Sequence, residues 1–179
     1  AGNKTATFNV RLVTSQTYDF VFWADVCGEG GIKADRHYQT ANGLQNISLL
    51  GTYAGNDDSR DAFTGVLLSK LVTGAFNEAV ELTRPFGQLN IKTTDLESIP
   101  TDRTALIPAA SLAFKGVYTG FNAHTGAVTG DLAALSYNEN AAVVDGDGAL
   151  TMDYLFAPKE GQLLTNMVLT MNNAAGEKI

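Results

Sequence analysis

The stretch Tyr18-Asp19-Phe20-Val21-Phe22-Trp23-Ala24 decides the fold class. Its middle is aromatic and apolar without a break, as expected of a short strand buried on both faces. The glycines at 28, 30 and 31 end it as a loop. Upstream, residues 5–13 set Thr7, Asn9 and Arg11 against Phe8, Val10 and Leu12, the period of two of a half-buried strand. Downstream, residues 47–50 and 66–72 read as strands, and 78–84 sets Ala79, Glu81 and Thr83 against Val80 and Leu82. Pro85 cannot donate to a ladder, so it marks an edge or bulge before 86–93 resumes with Leu89 and Ile91 on one face. Residues 109–118, 150–158 and 163–171 complete the strands. Residues 120–128 read as a turn region whose Phe121 plugs the end of a core. Residues 99–108 form a weakly patterned connection.

Nine or so short strands, with no amphipathic helix beyond about two turns, predict an all-β antiparallel sandwich or barrel with less than about 15% helix. One domain over 1–179 accounts for the length. The core is expected at Phe20, Phe22, Val80, Leu82, Phe86, Leu89 and Ile91, with Phe22→Ala costing about 3–5 kcal/mol.

Composition excludes several functions. The net charge is −7 and the 12 Lys and Arg residues are scattered singly, so the basic footprint of a nucleic-acid surface is missing. A basic membrane-surface helix is disfavoured for the same reason. No run of about 18 apolar residues suggests a transmembrane helix. Ala1-Gly2-Asn3-Lys4 reads as a chain already cut. Cys27, the single cysteine, reads as an inert thiol, because nothing in the sequence sets His37 or His124 beside it as a base.

The chemistry-bearing residues are few. Asp145-Gly146-Asp147-Gly148 resembles half of a calcium loop, but Ala149-Leu150-Thr151 supplies no further ligand, so a turn between strands is the reading. Asn56, Asp57, Asp58 and Asp61 form an acidic, turn-prone cluster, read as a solvated loop whose Asp and Ser residues cap one helical turn. His124 reads as a surface residue in a turn. No nucleophile elbow, Walker loop or dinucleotide fingerprint occurs, so no catalytic residue, metal site or cofactor is assigned.

Taken in order, the segments Asp19-Phe20-Val21-Phe22-Trp23-Ala24-Asp25, Asn56-Asp57-Asp58-Ser59-Arg60-Asp61-Ala62-Phe63 and Arg84-Pro85-Phe86-Gly87-Gln88-Leu89-Asn90 resemble the fimbrillins of the Bacteroidales. Phe121-Asn122-Ala123-His124-Thr125-Gly126 is similar to a Phe-Asn-x-x-Thr-Gly turn of that family. The resemblance covers about residues 18–130. It implies a transthyretin-like Greek-key sandwich, export as a lipoprotein to the outer membrane, and assembly into a pilus by strand exchange between subunits. Residues 5–13 are then the expected exchangeable strand, with Arg11, Lys4 or Arg36 as cleavage points and residues 163–171 as the second choice.

Two other classes compete. A carbohydrate-binding module would show coplanar, solvent-facing aromatics, with Trp23, Tyr38 and Tyr53 as candidates, although Trp23 lies in an apolar strand. A glycan-degrading enzyme would need two carboxylates brought into one cleft.

Overall fold

The computed structural model describes residues 7–29, 34–94, 109–140, 142–144, 147–161 and 167–171. It is all-β. The strands are β1 (Gln16–Ala24), β2 (Tyr38–Gln39), β3 (Ile47–Leu49), β4 (Phe63–Val72), β5 (Phe86–Thr93), β6 (Ala109–Asn122), β7 (Ala127–Asn140), β8 (Ala142–Val144), β9 (Asp147–Phe156) and β10 (Val168–Met171). Among the described residues the only helical element is a single 3-10 turn, Asp58–Arg60. Every strand pair is antiparallel.

The strands form two sheets of unequal size. β1 and β4 make a two-stranded sheet, with Phe22 opposite Gly65 and Trp23 opposite Thr64, and its register shifts around Asp19. The other eight strands form the second sheet, built around the β6–β7 hairpin. That hairpin pairs from Ala109–Asn140 down to Asn122–Ala127, with register shifts beside Gly116 and Thr119. On its other side β6 takes β10 near its start, β9 at the single pair Tyr118–Phe156, and β3 near its end. β9 in turn carries β5 and β8, and β3 carries β2.

The core has two centres. Val21 and Trp23 of β1 pack against Tyr38, Ile47, Ala62, Phe121, Ala123 and Phe156, which seals the small sheet onto one half of the large one. Tyr38 lies at its middle, 1% exposed, edge-on to Trp23 at 5.5 Å and stacked on Phe86 at 5.5 Å. Phe121 stacks on Phe156 at 5.7 Å, which is the plug expected of it. The second centre gathers Tyr53, Leu112, Phe114, Val117, Tyr137 and Leu155 against Leu89, Ile91, Leu135 and Leu169. Both centres draw on β6 and β9, which is why those strands are the most buried.

The structure corrects several expectations. Residues 7–13 are not a strand, despite their clean alternation, and Phe8, Val10 and Val13 stand 73%, 64% and 65% exposed. Residues 78–84 are not a strand either; their backbone pairing with β4 is the single bridge between Thr64 and Thr83. Gly65 permits this close approach: a Cβ there would sit 2.6 Å from the Glu81 carbonyl and 2.7 Å from a Leu82 methyl, so the segment lies as a strap against the small sheet. Leu82 is therefore exposed and Val80 only half-buried. Phe20, Phe22, Phe86, Leu89 and Ile91 are also half-buried, so Phe22→Ala should cost less than a closed-core deletion.

Further along, β6 runs on through Asn122, the turn shrinks to residues 123–126, and β7 follows where no strand was expected. Pro85, buried just ahead of β5, leads into the strand that ends the large sheet among the described residues, so the edge reading holds, whereas the segment before it is a strap and not a second half of the same strand. The connection expected over 99–108 lies outside the described residues.

Candidate functional site

The acidic cluster folds into a corner between β3 and β4. Asp57 caps the 3-10 turn, its Oδ1 accepting the Ser59 amide at 3.0 Å and also the Ser59 hydroxyl. The capping role read from the sequence is what forms. His37 joins it from just before β2, with Nε2 2.8 Å from Ser59 Oγ and 3.4 Å from Asp57 Oδ2. Burial pushes the His37 pKa below its ordinary value, helped by the Arg60 guanidinium. The backbone hydrogen bond to Ser59 and its hydroxyl pull that of Asp57 down against the cost of burial.

A serine, a histidine and an aspartate thus meet, which their spacing did not reveal. Nucleophile activation needs the two imidazole nitrogens to face the serine and the carboxylate separately. Here both partners sit at Nε2, and the Ser59 hydroxyl turns to Asp57. The arrangement holds a turn and does not activate a hydroxyl.

Arg60 leaves this turn for the interior. It is 3% exposed, donates from Nη2 to the Thr52 carbonyl at 3.0 Å and lies 4.4 Å over the Tyr53 ring. Its carbonyl accepts the Tyr38 hydroxyl at 2.6 Å. Asp61 grips Arg84 through two hydrogen bonds of 2.8 and 2.7 Å, tying the corner to the end of the strap. Beneath lies Asp153, 1% exposed, accepting the hydroxyls of Tyr53 at 3.1 Å and Tyr137 at 2.7 Å. Burial raises its pKa, so this carboxyl favours its neutral form.

The aromatic candidates for a sugar platform do not assemble. Tyr38 and Tyr53 are core residues, and Trp23 packs on the first core centre. The half-exposed ring cluster of Tyr18, Phe20 and Phe76 is tilted and edge-on, at 45° and 64°, and offers no flat face.

His124 is not a free surface residue. Asn122 Oδ1 accepts the amides of His124 and Thr125 and shapes the β6–β7 turn, so His124 Nε2 reaches Asp19 at 2.8 Å. Asp19 also accepts the Ser69 amide at 2.7 Å, and His124 with this bond holds its pKa below the usual carboxylate range.

Cys27 is exposed, and each histidine is engaged elsewhere. Among the described residues no three His, Cys, Asp or Glu side chains gather as a metal site would require. Asp145 lies outside the described residues; Asp147 begins β9 opposite Val144. Among the described residues no helix is long and apolar enough to cross a membrane.

The remaining candidate is a backbone edge. Among the described residues β1 pairs with β4 alone, so its other side offers unpaired N–H and C=O groups, and the far side of β4 makes one backbone bridge, to Thr83. Ser15, at φ 62°, turns the chain into β1 and bonds the Val72 carbonyl at 2.7 Å. The Tyr18 hydroxyl bonds the Val13 amide at 3.0 Å and the Val13 carbonyl at 3.3 Å. The arm 7–13 is thus anchored at its root, with Leu12 half-buried, while Phe8, Val10 and Val13 stay exposed. Val66, Leu68, Leu71 and Phe76 add exposed apolar surface around the same small sheet. The alternation pointed to this segment, although not to its unpaired state.

The sequence matches a family of unknown function, DUF6562, over residues 1–179, and the chain belongs to that family. No curated protein and no solved structure matches it.

Proposed function

We propose that the chain is a structural subunit of a cell-surface fimbrium, joined to its neighbours by β-strand addition. The observation that carries this reading is the small sheet: a β1 edge open among the described residues, in a chain whose alternating segment 7–13 leaves Phe8, Val10 and Val13 exposed. Strand addition satisfies both features at once. Main-chain hydrogen bonds close the edge, and Phe8, Val10 and Leu12 give the incoming strand one face and one register. An unpaired strand edge is itself a template for pairing with another chain. In this reading the protein is exported, sits at the outer surface in a transthyretin-like subunit, and serves assembly and adhesion, not catalysis. The resemblance of residues 18–130 to fimbrillins supports the same role.

The test uses the full chain, a chain lacking residues 1–13, and a peptide of residues 5–13. The full chain should form oligomers by light scattering, the shortened chain should stay monomeric, and the shortened chain should capture the peptide but not a scrambled version. A shortened chain indifferent to the peptide would remove the role of this segment, and β10 would be the next strand to test.

A further inference from the structure

We propose that the strap of residues 78–84 is an edge guard, which closes the β4 side of the small sheet to incoming strands and leaves the β1 side to receive them. A two-stranded sheet has two outer edges, and each is a template for another chain unless something covers it. Here the two edges are treated differently. Among the described residues β1 has no strand partner beyond β4, whereas the outer side of β4 is followed by the strap.

The contacts between them run in one antiparallel order. Lys70 pairs with Glu78, Gly65 meets Glu81 and Leu82, Thr64 bridges Thr83, and the Arg84 guanidinium lies 5.4 Å over the Phe63 ring. The strap thus takes the direction and spacing of an added strand. At Thr64 and Thr83 it makes the ladder itself, with reciprocal amide-to-carbonyl bonds of 2.8 and 2.9 Å. Next to that bridge it moves onto the face of the sheet, where Gly65 presents no side chain. A Cβ on Gly65 would also sit 3.0 Å from a Val80 methyl, so the strap leaves no room for another chain there. An incoming strand must displace it to reach the Thr64 backbone.

Both ends of the strap are fastened. At its end Arg84 holds Asp61 through the two bonds of 2.8 and 2.7 Å. At its start Glu78 holds Lys70, whose Nζ also lies 5.1 Å over the Phe76 ring, and Phe76 stands edge-on to Phe20 at 5.9 Å. Glu78, Glu81 and Arg84 are exposed, and charged side chains along an edge discourage pairing in their own right. One guarded edge and one open edge give each subunit a single acceptor, so subunits add in a line; this last step rests on the strand-addition reading above.

The experiment is residue-resolved amide hydrogen exchange on the full chain and two variants. Asp61→Asn removes the charge from the Arg84 fork, and Gly65→Ala puts a Cβ against the Glu81 carbonyl. The Thr64 and Thr83 amides should lose protection about two- to fivefold in Asp61→Asn and further in Gly65→Ala, with the β6–β7 amides unchanged. Gly87→Ala, whose Cβ would meet only the Ala157 Cβ at 3.7 Å, is the control and should leave Thr64 and Thr83 as they are. Unprotected Thr64 and Thr83 amides in the natural chain, or equal protection in Gly65→Ala, would overturn the guard. Should Gly65→Ala fail to fold, about 0.5 M salt on the natural chain replaces it: screening the two exposed ion pairs should loosen the same two amides, and no change there also overturns the guard. Native mass spectrometry with a peptide of residues 5–13 separates the two proposals. Gly65→Ala should take up one more peptide than the natural chain, and an equal uptake of one or more counts against the guard. No uptake by either is a failure of strand addition, and the exchange at Thr64 and Thr83 then decides the guard alone.

Discussion

Residues 7–13 and β7 use their sequences in opposite ways. The first alternates cleanly and pairs with nothing, while β7, with Gly130, Asp131 and two adjacent alanines, is a fourteen-residue strand. The difference is the partner. β6 offers β7 a long edge and a four-residue turn shaped by Asn122, whereas residues 7–13 precede β1 through Ser15 in a left-handed conformation and join no strand pair. Pairing is a property of two segments, and alternation in one reports only half of it.

The sharpest way to test that contrast is to damage the hairpin. Phe121→Ala removes the ring stacked on Phe156 and should cost about 3–5 kcal/mol in urea denaturation. A loss below about 1 kcal/mol would deny the first core centre its plug. Gly120→Val is next. A Cβ there lies 2.7 Å from Thr129 Oγ1 and 2.9 Å from the Ile47 carbonyl, and the second is backbone that cannot swing aside. The strain should cost on the order of 1–3 kcal/mol, read by the same method.

Asp153 gives a smaller, pH-dependent effect on the hairpin side. Its raised pKa favours the neutral acid in the folded state, so its contribution is full below about pH 3.9 and lost as pH rises through the folded value. The advantage of the natural chain over Asp153→Asn should therefore shrink between pH 4 and 7; an advantage that grows would reverse the assignment.

The smallest effect belongs to the arm. Phe8→Ser and Val10→Ser should change monomer stability by less than about 0.5 kcal/mol. A larger loss would mean that the arm is docked after all.

The fold class was legible because β1 carries an apolar, aromatic run and β5 an alternation of Leu89 and Ile91 with polar residues, whatever their surroundings. β7 was not, since its Gly130 and its alanines become strand only under the pull of β6. The half-buried state of Phe20 and Phe22 was also hidden, because burial depends on the strap that Gly65 admits. At the corner, the Asp57 cap was readable from local spacing. The arrival of His37 and Arg84 was not, because it depends on where β2 and the strap are held. Nor could Asp153 be told from a solvated acid until Tyr53 and Tyr137 closed over it.

The topology also sets a timetable. β6 and β7 are neighbours in the chain, but β1 must find β4, β3 must find β6, and β5 must find β9 across long stretches of intervening sequence. Such non-local pairing is paid for in loop entropy before any contact rewards it, which places folding in the range of about milliseconds to seconds. The hairpin is the one extended piece that can form early. Substitutions in it should slow folding, whereas substitutions in the β1–β4 sheet should mainly hasten unfolding. The small sheet would then be the last part to close and the first to come loose, at the same edge that a neighbouring strand would use.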